Sequence, residues 1–297
     1  MPSISVVIVT LNRRQEILAL IGDLAGRGGA GDDVTVVDNG SSDGTAEAIR
    51  SAFPEVRLIE NGRNRGAPAG RAAGAAASQG DLLVFLDDDT RVEDREFFDR
   101  VRRAFAAQPE AGAIAFRLLD PSTRRSRSFE VPCRRKERAG EPFETTYFIA
   151  AGCAVRRSVH DAVGGMDPSL VYGFEELDFC YRAIGRGFRI FYRPEIVVLH
   201  GLSRKARPSW RRLYYFYRNK LWIGPRYLPW RMVATQACAW SGYFLAEAVR
   251  TGRPDVFVGA LCAGLAGLPE SLRRRRSERL TRAALDRLRS LEGRLYY

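Results

Sequence analysis

Residues 82–90 read LLVFLDDDT, so three consecutive carboxylates, Asp87, Asp88 and Asp89, end an apolar run. Such a run is typical of a buried strand. Adjacent carboxylates repel one another unless a cation offsets their charge, and hard divalent ions such as Mg²⁺ or Mn²⁺ favour oxygen ligands. The stretch therefore predicts a metal site that could also hold a substrate diphosphate. For an isolated triplet, a solvated Asp-rich turn is the alternative.

The composition is that of a globular protein. The chain has 297 residues, of which 45% are hydrophobic and 28% are charged, and this fits one or two domains. The opening MPSISVVIV has neither a basic region nor a small-residue cleavage site, so we expect a cytosolic protein. The five cysteines show no C-x-x-C spacing, so neither a disulfide framework nor a zinc cluster is indicated.

Charge divides the chain into two parts. Residues 1–200 hold 27 Lys and Arg against 29 Asp and Glu, whereas residues 201–297 hold 20 against 6. A basic excess confined to one region is typical of a surface for phosphates, anionic lipid or nucleic acid. We therefore predict a catalytic domain over 1–208 and a basic helical region over 209–297.

The first part alternates short β-branched runs with helical patterns near 13–27, 43–52, 66–78 and 94–107. The predicted strands are Ile4–Val9, Val34–Val37, Val56–Ile59 and Leu82–Leu86. This alternation predicts an α/β fold with a mostly parallel sheet. In open sheets of this kind, ligands bind at the carboxyl ends of the strands.

Polar residues follow three of these strands. Thr10 and Asn12 come after the first strand, Asp38 after the second and Asp87 after the fourth. We expect them to lie at one edge of the sheet. No G-x-G-x-x-G follows the first strand, which disfavours a dinucleotide-binding Rossmann domain.

Five blocks of sequence resemble, in order and spacing, family 2 of the glycosyltransferases. The resemblance covers about residues 3–225 and implies a nucleotide-sugar-dependent, inverting enzyme with the GT-A fold. The blocks are SVVIVTLNR (5–13), VVDNGSSDGT (36–45), NRGAPAGRAAGAAASQGDLLVFLDDDT (64–90), GGMDPSLVYGFEELDFCYRAIGRGFRI (164–190) and PEIVVLH (194–200).

The resemblance implies several contacts with the nucleotide. Asp38 would accept the imino hydrogen of uracil or thymine, although it could instead cap a neighbouring loop. Thr10 and Asn12 belong to the same nucleotide-binding edge. Arg65 and Arg71 flank the start of an Ala- and Gly-rich helix, where guanidinium groups and the helix N-terminus suit a diphosphate.

The resemblance also implies a metal centre for Mn²⁺ or Mg²⁺. Asp89 would coordinate the ion directly, while Asp87 and Asp88 would contact the ribose or water in the shell of the ion. His200, at the end of a predicted strand, would reach the metal or the diphosphate, and imidazole is a suitable ligand for Mn²⁺. We therefore predict Asp87, Asp89 and His200 as metal ligands.

The segment GFEELDF (173–179) resembles the family segment whose second acid is the general base. Glu176 occupies that position, where Asp is commoner, so its carboxylate reaches about one methylene further. Either Glu176 deprotonates the acceptor hydroxyl or Glu175 has taken the task. Acids that open a helix also interact favourably with its dipole.

The basic region combines aromatic residues with uncharged segments. Residues 209–223 resemble the Arg-Asn helix of the rhamnosyltransferase-like branch. The apolar segments 232–245 and 256–268 are shorter than the roughly 20 residues that span a bilayer. Together with Arg273–Arg276 they predict interfacial helices with a polybasic clamp, peripheral on the inner face of the plasma membrane. A helical subdomain or a dimer contact is the alternative.

These observations predict a metal-dependent inverting glycosyltransferase. The donor would be a UDP or dTDP sugar, and the acceptor a glycan or a lipid-linked hydroxyl. A nucleotidyltransferase could use the same carboxylates, but it would release pyrophosphate. A nucleic-acid-binding protein is disfavoured because no recognised reading module accompanies the basic region.

Overall fold

The computed structural model describes residues 1–201 and 209–291. Its centre is one sheet of nine strands within these residues. The strands are β1 (Ile4–Thr10), β2 (Asp33–Asp38), β3 (Arg57–Glu60), β4 (Leu82–Asp87), β5 (Thr90–Arg91), β6 (Ala111–Leu119), β7 (Phe143–Thr145), β8 (Gly152–Arg156) and β9 (Arg189–His200).

The strand order is β3-β2-β1-β4-β8-β6-β9-β5, and β7 also pairs with β9. Strands β3, β2, β1 and β4 are mutually parallel, as are β6 and β9. Strand β8 runs against both β4 and β6, and the short strands β5 and β7 run against β9. Six strands thus share one direction, which confirms the predicted α/β class with a mostly parallel sheet.

Helices cover both faces of this sheet. The first four alternate with the first four strands, as the periodicity predicted. The helices are α1 (Arg14–Leu24), α2 (Thr45–Ala52), α3 (Ala67–Ala77), α4 (Phe97–Ala107), α5 (Arg157–Val163), α6 (Glu175–Gly185), α7 (Ser209–Tyr227), α8 (Trp230–Arg250), α9 (Pro254–Ala266), α10 (Leu268–Glu278) and α11 (Arg282–Ser290).

Alternate residues of the central strands form two separate cores. Val6 and Val84 point to one face, where α1, α2 and α4 pack. Val7 and Phe85 point to the other, where α3, α5 and α6 pack. Strands buried on both faces read as continuous apolar runs, which explains why β1 and β4 were recognisable in the sequence.

Helix α3 lies close to the sheet because it presents glycine to β1. A side-chain carbon at Gly74 would lie 2.4 Å from Val7 Cγ1, and one at Gly70 would lie 2.7 Å from Val9 Cγ1. Any larger residue would push the helix away from the strand. The small residues of α3 therefore allow the helix to pack closely on the sheet.

The carboxyl-terminal helices complete the second core. Ile223 and Tyr227 of α7 and Leu285 of α11 are buried in the same cluster as Phe85 and Tyr181. The predicted boundary at residue 208 lies in 202–208, outside the described residues, as does the end of the predicted region at 292–297. The helices that follow share a core with the sheet.

A buried ionic network joins α6 to these helices. Asp178 is fully buried and accepts hydrogen bonds from Arg226 Nη1 and the Tyr227 hydroxyl, each at 2.7 Å. Asp167 accepts from Arg226 Nη1 at 2.9 Å and from Arg274 Nη1 at 2.5 Å. Arg274 is therefore only 25% exposed and bonds to a buried carboxylate, whereas the sequence predicted that all of Arg273–Arg276 form a polybasic clamp.

Among the described residues, none of the helices is by itself both long and apolar enough to cross a bilayer. Helices α9 and α10 together meet those criteria, but they are bent by 50° at their junction. Segment 232–245 lies within α8. Segment 256–268 covers most of α9 and reaches the first residue of α10, so both segments are helical, as predicted.

Replacing Asp178 by Ala is expected to destabilise the protein by about 3–5 kcal/mol, because the buried guanidinium of Arg182 loses its carboxylate and that of Arg226 keeps Asp167 but loses Asp178. Urea unfolding followed by circular dichroism would measure the change. Asp286→Ala, on the exposed side of α11, is the matched control and should cost less than about 1 kcal/mol. Equal effects of the two substitutions would contradict the importance of the buried network.

Candidate active site

The carboxyl ends of β1, β2 and β4 meet at one edge of the sheet. Thr10 is in register with Asp38, and Val9 is in register with Asp87. The side chains of Thr10 and Asp38 are buried there, and that of Asp87 is 23% exposed. The structure thus brings together the polar residues that the sequence placed at strand ends.

Strand β9 brings His200 to the same edge. The short antiparallel pair β5–β9 sets Thr90 opposite His200. The amide of Gly201 then donates to the carbonyl of Asp89 at 2.8 Å. Because backbone bonds on both sides fix this pairing, the imidazole is held beside the acidic triplet.

Asp87, Asp89 and His200 form a group that can hold a divalent cation. One ligand atom from each residue lies within 4.8 Å of the others. His200 Nε2 is 3.5 Å from Asp89 Oδ1 and 4.0 Å from Asp87 Oδ2. This nitrogen is buried and makes no well-formed hydrogen bond within the described residues. Two carboxylate oxygens and an imidazole nitrogen suit Mn²⁺ or Mg²⁺.

Glu130 fixes the orientation of His200. Its carboxylate is fully buried and lies 2.6 Å from His200 Nδ1, so that Nε2 faces the two aspartates. Burial lowers the pKa of His200, but the neighbouring carboxylates of Asp89, Glu130 and Asp87 outweigh it and raise the pKa to about 9. A carboxylate behind a ligating histidine is a common arrangement in metal sites.

Asp88 points away from this group. Its Oδ2 accepts from the Thr10 hydroxyl at 2.9 Å, and its Oδ1 accepts from Arg13 Nη1 at 2.5 Å. Arg13 also lies 3.1 Å from Asp89. Burial raises the pKa of Asp88 to about 6, with Arg13 opposing and the neighbouring aspartates reinforcing the shift. Both Asp88 oxygens are thus engaged inside the protein.

Arg71 bridges the acidic triplet and the start of α6. Its Nη2 donates to Asp87 at 2.6 Å, and its Nη1 donates to Glu175 at 2.9 Å. Burial lowers the pKa of Arg71, but the charges of Asp87, Glu175 and Glu176 prevail and raise it. The guanidinium therefore stays charged between the metal group and the candidate base.

Glu176 is the acid with the most unusual environment at this edge. Many protein atoms surround Glu176, but its side chain is still partly exposed to solvent. One of its carboxylate oxygens accepts from the Ala150 amide at 3.3 Å. Burial, followed by the charge of Glu175, raises its pKa to about 8, although Arg71 opposes the shift. A carboxylate with such a pKa is well suited to accept a proton near neutral pH.

Asn12 and Asp38, the predicted nucleotide-binding residues after β1 and at the end of β2, both bond to the loop that follows β2. The Ser41 amide donates to both oxygens of Asp38, at 3.0 and 3.2 Å, and Asn12 Oδ1 accepts from the Ser42 amide at 2.8 Å. Asp38 therefore caps the neighbouring loop, and base recognition by Asp38 stays a prediction. Arg65 is exposed just before α3.

Two residues of the site were not predicted. Arg13 ends the first family-like block, but a lone arginine after a strand resembles a surface residue in a sequence. Glu130 lies in a short 3₁₀ helix, Ser128–Glu130, within an irregular segment without periodicity. Its proximity to His200, seventy residues later, is a tertiary contact that no local pattern signals.

The comparison with protein families identifies the class of this protein. The family described as "Glycosyl transferase family 2" matches residues 5–164, which is more than half of the chain. The chain therefore belongs to glycosyl transferase family 2 and is a glycosyltransferase. This confirms the predicted enzyme class and decides against a nucleotidyltransferase.

Two named relatives come from Mycobacterium tuberculosis. A pre-mycofactocin glycosyltransferase is 26% identical over 214 residues, which are 69% of this chain and 44% of the relative. An N-acetylglucosaminyl-diphospho-decaprenol L-rhamnosyltransferase is 27% identical over 202 residues, which are 56% of this chain and 66% of the relative. The chain thus spans less than half of the length of the first relative and about two thirds of that of the second.

A solved structure shows the same fold. The mannosyltransferase PcManGT from Pyrobaculum calidifontis, in complex with GDP-Man and Mn²⁺, matches with a TM-score of 0.57 at 18% identity. The match covers 97% of this chain and 75% of the other. The protein therefore has the predicted GT-A fold.

Replacing Glu130 by Ala is expected to weaken Mn²⁺ binding about 10- to 100-fold, because His200 loses the group that orients it. Glu130→Gln retains an acceptor for Nδ1–H and should be affected less. Binding would be measured by electron paramagnetic resonance of free Mn²⁺, which does not depend on turnover. Glu137→Ala, in the exposed part of the same segment, is the control. Unchanged Mn²⁺ binding in Glu130→Ala would contradict this assignment.

Proposed function

We propose that this glycosyltransferase is metal-dependent and inverting, and that it transfers a sugar from UDP or dTDP to an acceptor hydroxyl. The observation that supports it best is the placement of Asp87, Asp89 and His200 at the edge that also carries Glu176. Arg71 connects the two groups through Asp87 and Glu175. A metal–diphosphate site and a base are the two elements that such a transfer needs.

Asp87, Asp89 and His200 would hold Mn²⁺ or Mg²⁺ through two carboxylate oxygens and Nε2. The bound ion would supply charge neutralisation for the departing nucleoside diphosphate. Asp88 holds Thr10 and Arg13 in place, and Arg13 contributes positive charge beside Asp89.

Glu176 would act as the general base. Its carboxylate takes the proton of the acceptor hydroxyl while the acceptor oxygen forms a bond to the anomeric carbon. The bond from that carbon to the nucleoside diphosphate breaks in the same step, and attack opposite the leaving group inverts the configuration. Glu175 accepts a hydrogen bond from Arg71, and the interaction with Glu175 contributes to the raised pKa of Glu176.

Asp38 would receive the uracil or thymine base at the end of β2. Ionised carboxylates have about four acceptor sites, so the bonds from Ser41 leave capacity for an imino hydrogen. Asn12 shapes the adjoining turn, and Thr10 lines the same edge. Arg65 and the N-terminus of α3 would face the diphosphate.

The acceptor would be a glycan or a lipid-linked hydroxyl, met at the inner face of the plasma membrane. The name of the decaprenol-dependent relative supports a lipid-linked acceptor. In this proposal residues 1–208 carry the chemistry, and residues 209–297 bring the enzyme to the bilayer. The charge difference between the two regions supports this division of roles.

The proposal predicts that UDP or dTDP raises the melting temperature only in the presence of Mn²⁺. A ligand that binds the native state stabilises it by mass action, so a thermal-shift series with UDP, dTDP, GDP and ADP ranks the nucleotides. Asp89→Ala should remove the Mn²⁺-dependent part of the shift. Nucleotide binding that is unchanged by EDTA would refute the metal assignment, and a shift with GDP alone would refute the proposed donor.

Replacing Glu176 by Gln is expected to slow transfer about 10²- to 10⁴-fold while donor binding persists, because the amide accepts no proton. In the wild-type enzyme, kcat/KM for the acceptor should fall about tenfold per pH unit below pH 8, since the active base is the deprotonated form. Transfer of radiolabelled sugar across pH 6–9 would measure both effects.

Glu175→Gln distinguishes the two candidate bases. It removes one charge near Glu176, so the midpoint of the pH profile should move to lower pH while transfer persists. If Glu175→Gln is instead the slower variant and its pH dependence disappears, Glu175 is the base.

A further inference from the structure

Helices α8 and α9 each bury one side against α7 and leave the other side in solvent. The buried side carries Phe244 and Ala248 of α8 and Val256 and Ala260 of α9. The opposite side of both helices is exposed and mostly apolar, and we call it the outer surface. Its members are Ala234, Cys238, Ala239, Gly242, Leu245, Ala246 and Val249 of α8, and Val258, Cys262, Leu265 and Ala266 of α9.

The outer surface is uncharged over long stretches. No Asp, Glu, Lys or Arg occurs between Arg231 and Glu247, nor in residues 256–269. Val249 is 67% exposed, Val258 55% and Leu265 57%. Single exposed apolar residues are ordinary, but aligned rows on two neighbouring helices indicate an interaction surface.

Arginines lie around the outer surface. Arg231 precedes the uncharged stretch of α8, Arg250 and Arg253 flank the turn into α9, and Arg273 and Arg276 follow in α10. Four of them are exposed and Arg253 is partly exposed, and Arg250, Arg253 and Arg273 each pair with a nearby carboxylate. Residues 209–291 hold 16 Lys and Arg against 5 Asp and Glu. The surface therefore complements a partner that is apolar inside and anionic at its boundary.

Two exposed aromatic residues also belong to α8. Trp230, at the start of α8, is 57% exposed, and Tyr243 is 49% exposed. Such side chains favour the boundary between lipid and water because they combine an apolar ring with a polar group. Arg275 lies 4.5 Å from the Trp230 ring and donates to the carbonyls of Pro225 and Leu228, so it supports the helix junction from inside.

We propose that the outer surface docks the protein onto a bilayer containing anionic lipid, with α8 and α9 lying in the interface. Apolar faces of this size bind at the acyl boundary, while surrounding arginines contact the headgroups. Of the cluster 273–276, Arg273 and Arg276 make this contact, because both are exposed and the partner of Arg273, Glu270, is exposed too, whereas Arg274 and Arg275 bond to the buried residues Asp167 and Pro225. The choice of occupant rests in part on the proposed lipid-linked acceptor.

Helix α7 connects the outer surface to the candidate base. Asn219 of α7 donates to the carbonyls of Leu170, Tyr172 and Gly173, directly before α6. The ring of Phe216 packs beside Gly173 so closely that a side-chain carbon there would lie 2.3 Å away. A bilayer bound to the outer surface would therefore be separated only by α8 and α9 from the helix that positions the loop before Glu175 and Glu176.

Flotation with vesicles tests the proposal without donor or acceptor. The full-length protein should float with phosphatidylglycerol-containing vesicles, and less so in high salt or with phosphatidylcholine alone. Arg273→Gln combined with Arg276→Gln should weaken the partition coefficient roughly tenfold or more at low salt. Leu265→Glu, which removes apolar contact, should weaken it as well.

The matched control is Arg95→Gln combined with Arg103→Gln. These residues are exposed at α4, on the opposite face of the sheet, and the double substitution removes the same charge. The native thiols of Cys238 and Cys262 provide a second measurement, since both are exposed on the outer surface. A polarity-sensitive fluorophore attached there should shift to the blue on anionic vesicles.

Several outcomes would overturn the proposal. One is absence of flotation, and another is equal loss of binding in the control pair. A third is a stable dimer in light scattering that Leu265→Glu dissociates, since the outer surface would then bind a second copy. The variants keep the catalytic edge intact, so they should bind vesicles less but retain Mn²⁺-dependent nucleotide binding. If the wild-type protein binds no nucleotide with Mn²⁺, the proposed function is refuted; if it binds nucleotide but does not float with vesicles, only the docking proposal is refuted.

Discussion

The structure depends on how it accommodates three adjacent carboxylates at the end of a buried strand. Residues 87–89 are compatible with folding because cations from three other elements reach them. Arg13 comes from the end of β1, Arg71 from α3 and His200 from the end of β9. Removing any of these partners would leave a poorly solvated charge, which is costly. The cations that surround the acidic triplet thus lie at the edge where Asp87, Asp89 and His200 could hold a divalent ion.

The sequence predicted this edge because its residues follow strands with continuous apolar patterns. Thr10, Asp38 and Asp87 were found in this way, and the parallel register places them together. His200 required the family resemblance, since a lone histidine after a strand carries little information. Strands β6 and β8 were not predicted, because β8 is short and their pairing joins segments far apart in the chain.

The sequence did not predict contacts made by irregular segments. Glu130 meets His200 only because the segment after β6 folds back over the sheet, and no periodicity encodes such a path. The cluster 273–276 shows the opposite case: four identical residues gave a clear signal, but helical geometry turns two of them inward. Composition therefore located the basic region, while the direction of each guanidinium depended on packing.

The match to the family ends at residue 164, but contacts that hold α6 and the loop before it come from α7. Asn219 of α7 binds the loop before α6, and Arg226 of α7 binds Asp178 of α6. A chimera that exchanged the helices after residue 208 between relatives would join the loop before α6 from one protein to the supporting helices of another. In evolution, the segment 167–178 and the helical region are thus expected to vary as one unit. Recombination within this family would be tolerated more readily before α5 than after β9.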